Sequence, residues 1–143
     1  MNLSYKPPLW FWILSALLLV WNLLGVMAYV QEATMAAEAL QAMPAAERAL
    51  LQSRPAWATA AFAFAVFGGA SGCLLLLLRT RIAIAVLALS LLGVVVQMTH
   101  AFAIADSIAV YGPGGLIMPA LVSTISIFLI VFALHARKRG WLR

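Results

Sequence analysis

The chain has 143 residues, 66% of them hydrophobic and 9% charged, with a formal net charge of +5 and a mean hydropathy of +1.06. Soluble domains carry about 25% charged residues, so this composition excludes a water-facing globular surface and selects lipid as the solvent. The basic residues flank apolar runs and do not interleave with aromatics on one face, which excludes nucleic acid as a partner.

Four runs lack Asp, Glu, Lys and Arg: residues 9–30, 57–78, 82–105 and 115–134. Each reaches the roughly 20 apolar residues a helix needs to cross a bilayer. Spanning segments must satisfy their own backbone groups, so they are read as helices. The expected fold is an all-α membrane protein, one four-transmembrane-helix domain over residues 1–143. The first run follows Lys6 and resembles a signal peptide, but it exceeds the ~7–15 residues of a signal core and is read as a retained helix. Pro7-Pro8 stops it extending backwards.

Along the first run, Ser15, Asn22 and Tyr29 stand seven apart on one face, with Gly25 beside them. The outer loop, residues 31–56, is rich in Ala, Glu and Leu, and two short helices are expected at about 34–42 and 44–52. On the second run Ala61, Ala65, Gly68 and Gly72 form a small-residue face, with a GxxxG at its end, suited to close helix packing. Cys73, alone of its kind, reads as a small buried hydrophobe. Arg79-Thr80-Arg81 makes a short turn, so the second and third runs are antiparallel neighbours. The third run carries Ser90, Gly93, Gln97 and His100 on one stripe. Tyr111-Gly112-Pro113-Gly114-Gly115 marks a tight turn before the fourth run.

Alternating helices place Lys6, Arg79, Arg81, Arg137, Lys138, Arg139 and Arg143 on one side. Arg48 and Arg54 fall on the other with all four acids. The positive-inside rule then puts both termini in the cytoplasm. At about 1.5 Å per residue, Asn22 lies ~20 Å and Gln97 ~22 Å from the starts of their parallel runs, and Tyr29 and His100 lie ~30 and ~27 Å along. The first and third helices are therefore expected to share a polar seam of Asn22, Gly25, Tyr29, Gln97 and His100. That seam reads either as packing glue or as a small polar cavity open to the outside.

No Walker loop, GxGxxG, HExxH or nucleophile elbow is present. His100 is expected in the outer half of the bilayer and His135 at the inner end, roughly 25 Å or more apart along the normal, too far to hold one haem. No catalytic residue, cofactor or metal is expected. The spans carry no carboxylate, which argues against proton- or sodium-coupled carriers such as the small multidrug resistance family.

Trp21-Asn22-x-x-Gly25, Pro55-Ala56-Trp57, Phe67-Gly68-Gly69-x-x-Gly72 and the Leu run with Arg79 are distinctive. With residues 9–12, 111–115 and Lys138-Arg139-Gly140-Trp141-Leu142-Arg143, the chain resembles an uncharacterised family of small four-span bacterial inner-membrane proteins commonly labelled "sugar transporter". The resemblance implies a bacterial inner-membrane location, a periplasmic loop at 31–56 and a neutral-solute facilitator. The residues themselves favour a non-enzymatic protein that works by association, as a homo-oligomer or accessory subunit. Its partners would be the lipid bilayer, itself or another membrane protein, with a small polar ligand as a further option. A membrane enzyme acting on lipid or quinone through His100 ranks third.

Overall fold

A computed structural model describes residues 5–143. The elements are α1 (Leu9–Ala33), α2 (Ala37–Ala42), α3 (Ala45–Ser53), α4 (Ala56–Leu77) and α5 (Ile82–Thr99), which runs on into a π-turn at His100–Ile104. Then come α6 (Ser107–Tyr111), a 3₁₀ turn (Pro113–Leu116) and α7 (Ile117–Lys138). Among the described residues four helices are long and apolar enough to cross a membrane: Leu9–Ala33, Ala56–Leu77, Ile82–Ile104 and Pro113–Lys138. The shortest is about 33 Å long, enough for the ~30 Å hydrocarbon core. The all-α four-helix fold expected from the sequence is the one observed.

Proline sets three of the helix starts. Pro8, Pro44 and Pro55 are the residues immediately before α1, α3 and α4. A fixed φ and a missing N–H suit that place, where the first amides lack partners anyway. The loop helices begin later than expected, at Ala37 and Ala45; before the second, Pro44 is the N-cap and not a first-turn residue.

Packing follows chain order. α4 lies against α1 on one side and α5 on the other, and α5 lies against α7. This corrects the expectation that the first and third spans share a seam: α4 stands between them. The cause is that α4 is small-sided on two faces. Toward α5, a Cβ at Gly93 would fall 2.8 Å from the Ala61 carbonyl oxygen and 2.9 Å from the Ala65 nitrogen. Ser90 also donates to the Ala65 carbonyl at 2.6 Å. Gly68 faces Ser90 and Gly72 faces Leu87. The backbones touch, which in lipid supplies the packing that water would otherwise drive.

The two long helices near Arg79 and Gly140 end alike. In each, the residue after the C-cap is left-handed: Arg79, after Leu78, at φ 60° and Gly140, after Arg139, at φ 71°. Thr80 and Arg79 amides return to the Leu75 and Leu76 carbonyls, and Trp141 and Gly140 amides to those of Ala136 and Arg137. Both are Schellman motifs. Glycine is the usual occupant, and a side chain there costs roughly 1–2 kcal/mol. The Arg79 side chain offsets that cost. Its Nε donates to the Trp141 carbonyl at 2.7 Å and its Nη2 to the Tyr5 carbonyl at 3.1 Å. Two backbone bonds, Arg143 N to Arg79 O and Arg81 N to Arg143 O, lay residues 141–143 along the turn. Tyr5, the α4–α5 turn and Arg143 therefore meet at one end of the bundle, the basic end. Over them sits an aromatic cluster. Phe11 lies 5.6 Å from both Phe132 and Trp141, and Trp10 lies 5.3 Å from Trp141, between ring centroids. Trp141 is buried in this cluster.

Candidate functional site

α1 and α7 are the two ends of the packed row. At the basic end they are joined by Phe11 and Phe132. Toward the opposite, loop end they diverge and leave a cavity of about 370 Å³. Its walls come from all four spans: Trp21, Asn22 and Gly25 of α1, Val66 of α4, Gln97 of α5 and Val122 of α7 are among them. Met98, Met118, Pro119 and Ile125 complete an apolar surface interrupted by Asn22, Gln97, Ser126 and the Trp21 indole. That size and character, apolar with a few polar groups, is the usual form of a small-molecule site.

The polar groups differ in how they are committed. Asn22 donates through Nδ2 to the Leu18 carbonyl at 2.8 Å and to Cys73 Sγ at 3.5 Å. Its oxygen occupies the space where a side chain at position 69 would lie, 1.9 Å from the Cβ that Gly69 lacks. Asn22 is thus locked into the α1–α4 contact. Gly25 likewise meets α4, with Val66 at 3.2 Å from its would-be Cβ, and not the third span. Ser126 spends its hydroxyl on the Val122 carbonyl of its own helix, at 2.8 Å. Gln97 is half-buried and forms no hydrogen bond with the described residues. Its side chain is part of the wall of this cavity.

The other two residues of the expected seam lie elsewhere. Tyr29 packs edge-on against Phe62 and Phe67 of α4, at 5.4 and 5.7 Å. It borders a separate cavity of about 240 Å³ with Glu32 and Arg54, which form an ion pair. His100 is 7% exposed and stands edge-on to Trp57 at 5.2 Å. It lines a third cavity of about 60 Å³, room for roughly two waters, with Arg54, Ser107 and Tyr111. The π-turn that begins at His100, where the Ala105 amide reaches back five residues to the His100 carbonyl, carries this ring toward α4. Tyr29 and His100 therefore do not form one mouth. Gln97 borders both the His100 cavity and the large one.

Sequence reading missed Gly69 and the role of Cys73. The signal was present, since Gly69 and Cys73 stand four apart beside Gly68 and Gly72. Two adjacent small stripes mean two helix contacts, one for α5 and one for α1. Outside the spans, partial burial of the Tyr111 phenol and the nearby Glu47 carboxylate raise its pKa above the usual tyrosine value, against a smaller opposing effect of Arg54. Among the described residues no three His, Cys, Asp or Glu side chains gather as metal ligands do.

Comparison of this chain with protein families, with curated proteins and with solved structures gives no match.

Proposed function

We propose that this is a non-enzymatic membrane protein that works by association, its cavity between α1 and α7 taking up an apolar molecule that bears a hydrogen-bonding group. The observation that carries this is Gln97: an amide with no hydrogen bond to the described residues, in the wall of a mostly apolar, membrane-level cavity of about 370 Å³. An unmet polar group in lipid is costly, so the occupant must supply a donor or acceptor there and apolar surface elsewhere. The side between α1 and α7 gives it a route from the bilayer. The basic end is placed in the cytoplasm by the positive-inside rule, which puts the cavity nearer the outer leaflet.

The neutral-solute facilitator implied by the family resemblance is less favoured by this lining. A polyhydroxyl solute needs many polar partners, and Asn22 and Ser126 are already committed to the protein's own backbone.

The test is native mass spectrometry of the protein purified in mild detergent from a total membrane extract. The wild type is expected to retain a small amphiphile. Gln97→Leu and the cavity-filling Val122→Trp are expected to lose it while keeping the helical circular dichroism of the wild type. A wild type that carries nothing at any detergent concentration overturns the proposal. Proteoliposome uptake of a neutral sugar above that of empty liposomes would favour the facilitator.

A further inference from the structure

At the basic end, away from the cavity between α1 and α7, we infer a binding site for the phosphate of an anionic phospholipid, formed by Lys6, Lys138 and Arg139. These three cations border a single recess of about 520 Å³, which Tyr5, Pro8 and Trp141 also line. Lys6 comes from the segment before α1, and Lys138 and Arg139 come from the end of α7. The Arg79 clamp brings these two segments together.

None of the four acidic side chains lies there. They are Glu32, Glu38, Glu47 and Asp106. Glu32 is paired with Arg54, Glu38 and Glu47 occupy the first turns of α2 and α3, and Asp106 precedes α6. All lie toward the loop end. No acidic side chain neutralises the three cations, and the level of the recess points to the source of a countercharge. Leu9 begins a membrane-crossing helix directly after Pro8, and Lys138 closes another, so the recess sits at headgroup depth. Tyr and Trp rings favour that depth, and basic pockets between helices there recognise lipid phosphates. The positive-inside rule requires only a count of basic residues on one side; it does not require three of them to share one recess.

The experiment compares two charge-matched pairs in purified protein titrated with phosphatidylglycerol and read by native mass spectrometry. Lys138→Gln with Arg139→Gln removes two recess cations. Arg81→Gln with Arg137→Gln removes two that lie outside it. The recess pair is expected to weaken lipid retention about 30-fold, and the outside pair about threefold or less. Equal losses would mean a diffuse surface charge and overturn the site. Equal retention of phosphatidylcholine would overturn recognition of charge, and inorganic phosphate binding as tightly as phosphatidylglycerol would overturn the lipid assignment. None of these outcomes depends on the cavity between α1 and α7.

Discussion

The two ends of this bundle are built on opposite plans. At the basic end, segments far apart in sequence are drawn into one cluster. Phe11, Leu76, Ala136 and Leu142 are buried there, and Arg79 ties Tyr5 and Trp141 to the α4–α5 turn. Toward the loop end α1 and α7 stand on opposite walls of a cavity, while α4 stays packed on α1 through Tyr29 and Phe62 and on α5 through Trp57 and His100. Val122, Met118 and Gln97 are among the residues lining that cavity, and the backbone departs from regular helix in a π-turn at His100 and a left-handed Asp106 at φ 45°. π-turns and left-handed non-glycine residues are concentrated at functional sites. In the proposed reading the basic end holds the helices while the cavity toward the loop end takes the occupant.

If the basic end is the clasp, truncation there is the most damaging change. Phe11→Ala removes a fully buried ring that touches Phe132 and Trp141. The expected loss is about 2–4 kcal/mol, at or below the range in water, because lipid removes part of the transfer gain and leaves the packing. Unfolding by increasing dodecyl sulfate in mixed micelles, followed by circular dichroism, measures it. A loss under about 0.5 kcal/mol would break the comparison.

Arg79 is next. Arg79→Ala removes charge-assisted bonds to two carbonyls and is expected to cost about 1.5–3 kcal/mol. Arg79→Gly loses the same bonds but relieves the left-handed strain, so it should be about 1 kcal/mol more stable than the alanine variant. The same titration ranks the two. Alanine equal to glycine would mean that φ 60° carries no strain.

Much of this plan was legible in the sequence. Four runs without charge gave four spans, and the proline before each of α1, α3 and α4 marked a start. The small faces at Ala61, Ala65, Gly68 and Gly72 pointed to a helix contact. The partner of Asn22 was not legible. Depth and periodicity made it level with Gln97, but they carry no information on the order of helices around a bundle. That order was set by Gly69, whose missing side chain leaves room for the Asn22 oxygen. Tyr29 and His100 were separated for the same reason, with α4 lying between them. The tail clamp was hidden because Arg79 reads as an inside-positive charge, and nothing local shows that its bonds go to residues 5 and 141.

The loop end should tolerate what the basic end does not. Val122→Phe adds volume where about 370 Å³ is open, so it is expected to change stability by less than about 1 kcal/mol, whereas overfilling a closed core costs about 1–3 kcal/mol. Ala133→Leu, at a fully buried position in the basic-end core, is the matched control. Similar losses for the two would mean that the cavity is not real space.

The smallest effect belongs to Tyr111, in the loop-end wall. Its phenol is partly buried and faces the Glu47 carboxylate, and both disfavour the phenolate. The folded pKa is therefore above the ordinary value of about 10. For an acid raised in this way the folded state holds its proton longer than the unfolded state. The contribution to stability is full below the unfolded pKa and falls as pH rises from about 10 through the folded value. A difference titration at 295 nm between wild type and Tyr111→Phe isolates this phenol from the other two. Its midpoint is expected above that of free tyrosine, and Glu47→Gln should lower it. A midpoint that ignores Glu47 would remove α3 from the wall of the His100 cavity, leaving the loop end more open than the packing of α3 on α6 makes it.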